Sequence, residues 1–120
     1  LGTRFIATEE SMAPQPYKEM LLQARADDVV YTDAISGVNA NFLWPSLEAA
    51  GLTPEKLRQL AGKGKLHDIG SEVRAWRDVW SAGHGVSLIH EVVPTAALVE
   101  RLAREYEAAC ALPRSPALAR

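Results

Sequence analysis

Two short stretches combine small residues with polar side chains: Leu1-Gly2-Thr3-Arg4-Phe5 and Ser81-Ala82-Gly83-His84-Gly85. In the first, Gly2 and Thr3 at the end of a strand can present two backbone N–H groups and a hydroxyl to an anion. A plainer role for Gly2 is to permit a tight turn, and spacing alone leaves the two open. In the second, low side-chain bulk lets another group approach the backbone closely. The glycines flanking His84 give its imidazole access to a ligand, whereas His67 and His90 read as surface or helix-end histidines. Ser81 offers a hydroxyl, although a helix cap would use the same residue.

Other chemistry is excluded by spacing. A phosphate-binding Walker loop at Gly64-Lys65 needs a glycine where Gln59 stands, and a dinucleotide fingerprint from Gly62 and Gly64 needs one at His67. Gly62-Lys63-Gly64-Lys65 is instead a polar connector. The three histidines and Cys110 have no metal-binding spacing, and no serine lies in Gly-x-Ser-x-Gly. A net charge of -2 offers no footprint for nucleic acid. No apolar run reaches the length of a membrane span. With Cys110 as the single cysteine, no internal disulfide can form, which fits a reducing compartment such as the cytoplasm. Cys110 itself reads as a small buried hydrophobe.

The elements that must position these residues are mostly helical. Leu1 to Ile6 reads as the end of a buried strand running into a turn, which implies strand neighbours supplied by residues upstream of Leu1. Apolar positions at Tyr17, Met20, Leu21 and Ala24 predict a short amphipathic helix. Asp28 to Thr32 is β-branched and aromatic, and predicts a strand. A helix is expected from about Ala40 to Ala50, disturbed near Pro45 and stopped by Gly51. Thr53-Pro54-Glu55 opens another, and Glu72 to Trp80 a further one, with Val73, Trp76 and Trp80 on one stripe. Pro94 opens a last helix with Leu98, Leu102, Tyr106, Ala109 and Cys110 on one face and a Glu100–Arg104 pair outside. Pro113 ends it, leaving a loose tail.

Several blocks in order resemble the nitronate monooxygenase family, formerly called 2-nitropropane dioxygenases. They are Gly2-Thr3-Arg4-Phe5-Ile6-Ala7-Thr8-Glu9-Glu10-Ser11, then Asp28-Val29-Val30-Tyr31-Thr32-Asp33 with Ser36-Gly37-Val38. Asn41-Phe42-Leu43-Trp44-Pro45-Ser46-Leu47 and Trp80-Ser81-Ala82-Gly83-His84-Gly85-Val86 follow. The resemblance covers nearly the whole chain up to the final helix. It implies an α/β fold, the C-terminal fragment of an FMN-binding TIM barrel that is mostly helical over these residues. Residues 1–6 would end a late barrel strand, 7–77 form an inserted helical domain, and 78–112 return to the barrel with a closing helix on its outside, before a flexible tail at 113–120. Gly2 and Thr3 would touch the FMN phosphate, and Ser81, Gly83, His84 and Gly85 would lie near the flavin ring and substrate. Family members usually carry glutamine where His84 stands.

The resemblance implies oxidation of an alkyl nitronate by O2 to a carbonyl compound and nitrite. The family's catalytic histidine would lie upstream of Leu1, so this chain alone is expected to be inactive without the N-terminal barrel portion. An FMN-dependent enoyl-acyl-carrier-protein reductase of the same superfamily shares the Gly-Thr-Arg-Phe block. A non-catalytic helical interaction module is the alternative from a different class.

Overall fold

The computed structural model describes residues 1–62 and 77–112. The expectations for His67, the connector over 63–65, the stripe through Val73 and Trp76, and the end of the chain from Pro113 lie outside the described residues.

Among the described residues, five helices and one hairpin carry the fold: α1 (Gly2–Ile6), α2 (Gln15–Gln23), β1 (Val29–Thr32), β2 (Ala40–Leu43), α3 (Trp44–Ala49), α4 (Pro54–Leu60) and α5 (Thr95–Ala111). Short 3₁₀ turns occupy Ala26–Asp28 and His84–Leu88. The strands pair antiparallel, from Val29 opposite Leu43 to Thr32 opposite Ala40. Gly37 in their connection has φ 74, a left-handed conformation that a glycine adopts without a Cβ clash. Gly51 (φ 76) terminates the helical run before it in the same way. Thr53 caps α4 as its sequence demands, accepting a hydrogen bond from Lys56 N at 3.3 Å.

Side-chain alternation on β2 divides the core in two. Phe42 enters one cluster with Ala34, Ile35, Leu47, Leu52, Leu57 and Val79. Leu43 enters the other, with Ala7, Leu21, Ala24, Ala82, Val86 and Ile89. Full burial of each such leucine or phenylalanine stabilises the fold by about 2 kcal/mol. The second cluster gathers residues from both ends of the described chain, so it is the one that brings the two polar stretches together. Lys18, 6% exposed, fixes the segment after α1 by donating to Thr8 O at 2.6 Å and Glu9 O at 3.3 Å. Beside it, Thr8 and Val93 form an isolated parallel bridge, with Glu9 N donating to Val93 O at 3.1 Å. Glu10 then accepts from Thr95 N and Thr95 Oγ1 at 2.8 and 2.7 Å, anchoring the start of α5.

Four expectations are corrected. Residues 1–6 form a helix rather than the end of a strand: Arg4 N donates to Leu1 O at 3.0 Å, and Arg4 Nη1 donates to Ala7 O at 2.9 Å. A strand requires a flanking ladder, and none runs beside 1–6 among the described residues, so the segment closes its bonds locally. The helix expected from Ala40 begins only at Trp44, because Ala40–Leu43 pairs with β1 and Pro45 suits the first helical turn. Residues 77–80 are turn and extended chain rather than a helix end. Trp80 O accepts from Leu43 N at 2.8 Å, which aligns this segment with β2.

The last correction concerns α5. Leu98 is 1% exposed, yet Tyr106 is 71% exposed and Cys110 is exposed. No Glu100–Arg104 ion pair forms among the described residues; Arg101 pairs with Glu91 at 2.6 Å instead. The helix reaches past the clusters, so nothing in the described chain covers its second half. The radius of gyration is 17.7 Å, against about 14 Å for a compact chain of this length.

Candidate functional site

The stretch from Ser81 to Gly85 is held from three sides. From β2 and α3, Ser46 (1% exposed) accepts from Trp80 N at 2.9 Å and donates to Leu43 O at 2.8 Å. From α2, the Tyr17 ring stacks on Trp80 at a centroid distance of 5.0 Å and 13° between planes, and Tyr17 Oη donates to Ser81 O at 2.5 Å. Burial pushes the Tyr17 phenol above its ordinary pKa, so it remains the donor at neutral pH. From α1, Thr3 Oγ1 accepts from Gly83 N at 2.9 Å. That last bond joins the two stretches singled out by their composition, across 80 positions of sequence.

Thr3 and Gly83 consequently form a wall between two clefts. The smaller, about 350 Å³, is completed by Ile6, Ala40, Asn41, Ser81 and Ala82. The larger, about 590 Å³, is lined by Leu1, Arg4, Gly85, Leu88, His90 and four residues of α5 besides Thr3 and Gly83. Ser81, Gly83 and Gly85 line these clefts. His84 does not: it is exposed and lines neither cleft. It begins the 3₁₀ turn whose Val86 enters the core, and that turn carries its side chain outward. His90, read from sequence as a plain surface residue, lines the larger cleft.

The larger cleft has features suited to an anionic group. Arg4 Nη2 is buried with no hydrogen-bond partner, an uncommon state for a guanidinium donor. Thr3 accepts from Gly83, while its own hydroxyl proton has no acceptor among the described residues. A Cβ built at Gly2 or at Gly85 would meet nothing within 4 Å, so no contact in the described chain explains either glycine. Open backbone, a spare hydroxyl and one guanidinium nitrogen without a partner fit the phosphate end of a flavin nucleotide. Among the described residues no group of acidic, histidine or cysteine side chains could hold a metal ion, and no helix is long and apolar enough to cross a membrane.

No family model matches the chain, and no curated protein matches it. Among solved structures, the chain is similar to a single-site variant of FabK from Thermotoga maritima, with 27% sequence identity and a TM-score of 0.60. The match covers 90% of this chain and 32% of that one, so the chain spans about a third of that structure's length. This likeness supports the broad superfamily to which the nitronate monooxygenase resemblance points.

Proposed function

We propose that the chain is the C-terminal part of an FMN-dependent nitronate monooxygenase, which oxidises alkyl nitronates with O2 to a carbonyl compound and nitrite. The observation that carries this reading is the Gly83 N to Thr3 Oγ1 bond, which seats two blocks of the resemblance on the same pair of clefts. A partial α/β barrel accords with the unflanked opening segment and with the uncovered second half of α5. The N-terminal barrel portion is the partner that would cover them and supply the histidine that accepts the substrate's proton.

Within this reading, the chain binds and orients. Gly2, Thr3 and Arg4 hold the phosphate end of FMN, Gly83 and Gly85 keep the backbone open beside it, and Ser81 orients the substrate's nitro group. When bound, FMN supplies the acceptor for the substrate's electrons and their passage to oxygen. Tyr17 and Ser46 position Ser81 through the backbone on either side of it.

The test is the full-length, flavin-loaded enzyme that includes the N-terminal barrel portion, given propyl-1-nitronate and O2, with nitrite release and oxygen uptake measured. Nitrite formed in step with oxygen uptake is the expected result. No nitrite, together with NAD(P)H-linked reduction of an enoyl thioester, would move the assignment to the enoyl-acyl-carrier-protein reductase alternative. Neither activity, with no flavin retained, would leave the non-catalytic module.

A further inference from the structure

The smaller cleft has a polar side chain to which neither the resemblance nor the spacing gives a role. Asn41 stands on β2, where alternation puts it on the face of Leu43, the side of the second apolar cluster, with Ile6 and Ala82. A carboxamide carries two N–H donors and a carbonyl acceptor. The Asn41 carboxamide spends none of them on a partner among the described residues, and the Ser81 hydroxyl is equally unspent. Around them the cleft is apolar, with Ile6, Ala40 and Ala82. A few polar groups converging over an apolar floor fix the orientation of a small ligand, whereas the same groups scattered on a convex surface would only be hydrated.

We propose that Asn41 is a specificity-determining residue of this site. Its N–H donates to one oxygen of a two-oxygen head group, Ser81 donates to the other, and Ile6, Ala40 and Ala82 flank a short alkyl chain. The cleft, about 350 Å³ and open to solvent, suits a substrate of a few carbons. The identity of that substrate as a nitronate rests on the function proposed above; the recognition of a two-oxygen head by Asn41 does not.

The experiment uses the full-length, flavin-loaded enzyme, labelled with ¹³C and ¹⁵N and titrated with propionate, which has a two-oxygen head on a short chain. The Asn41 side-chain amide pair, assigned by triple-resonance spectroscopy of the unsubstituted protein, is expected to shift saturably with propionate and to stay still with 1-propanol. In turnover, Asn41→Asp places a carboxylate against the head group and is expected to raise KM for propyl-1-nitronate about tenfold with little change in kcat. A motionless amide pair overturns the assignment, as does an unchanged KM in a protein that oxidises nitronates. The titration decides even where the variant fails to fold, because it is read on the unsubstituted protein. A shifting amide pair without nitrite release would sustain the role of Asn41 and reject the nitronate reading. Nitrite release with a motionless pair would do the reverse.

Discussion

Replacing Thr3 by valine exchanges the hydroxyl for a methyl group of similar size, and tests the bond that joins the two halves of the site. Gly83 N loses its acceptor at 2.9 Å. A stranded backbone N–H costs roughly 1–3 kcal/mol when buried. Thr3 and Gly83 are both partly exposed, so water can reach the freed group and the low end applies, about 1 kcal/mol. For a chain of this length that lowers the melting temperature by about 4 °C. The effect on flavin should be larger in proportion, because Thr3 and Gly83 form one wall of both clefts. Loss of the hydroxyl proton and of the wall's fixed position is expected to raise the Kd for FMN about tenfold. Thr3→Ser keeps the oxygen and drops only a methyl group, so it should retain most of both properties. Thermal melts and a flavin-fluorescence titration of the three proteins provide the readout. If Thr3→Val and Thr3→Ser prove indistinguishable in melting and in FMN affinity, the hydrogen bond is not what holds the site together and the reasoning fails.

Two further outcomes follow from groups near the site. Ser46→Ala leaves Trp80 N without its acceptor in a buried setting, and should cost about 2 kcal/mol in urea unfolding; a loss below about 0.5 kcal/mol would contradict the role given to Ser46. The Glu10 carboxyl is held below the ordinary glutamate value of 4.5, chiefly by the Thr95 hydroxyl and then by the Thr95 backbone N–H. A depressed carboxylate contributes stability that is fully present above its unfolded pKa and lost as pH falls through the lower folded value. The melting temperatures of the unsubstituted protein and Glu10→Gln should therefore differ at neutral pH and converge in acid below 4.5; a gap that persists at the acid end would refute the linkage.

Much of the scaffold was legible where local chemistry decides it. Thr53 and Pro54 start a helix in any context, Gly51 stops one, and Pro94 opens α5. The run from Val29 to Thr32 is a strand as its branched side chains require. The sequence misled where pairing overrides local preference. Ala40 to Leu43 runs into Trp44 without a breaker, so the two read as one helix; Pro45, taken as a disturbance, is better understood as the first-turn proline of α3. At Leu1 to Ile6, the small and apolar residues fit a strand equally well until the lack of a flanking ladder among the described residues decides for α1.

The site divided along the same line. Gly2, Thr3, Ser81, Gly83 and Gly85 are marked by their small-residue blocks, and the fold brings all of them but Gly2 to the walls of the two clefts. Asn41, Arg4 and His90 carry no spacing signal, because their place depends on contacts distant in sequence. For Asn41 a local clue did exist: alternation along a correctly read β2 sets it on the face of Leu43. His84 is conspicuous between two glycines, yet the 3₁₀ turn it begins aims it outward.

The parallel bridge between Thr8 and Val93 has a consequence for how such a chain can change. Neighbouring strands lie about 4.8 Å apart, so the polypeptide departs and comes back at almost one spot. More than eighty residues hang between these two positions as a pendant. Glu9, Glu10 and Lys18, which hold these two positions in register, lie at its root, so segments beyond Lys18 can be exchanged while the residues on either side keep their place. Swapping the pendant between relatives would thus be a practical route to new substrate preferences, since Asn41 and Ser81 travel with it while Gly2 and Thr3 stay behind.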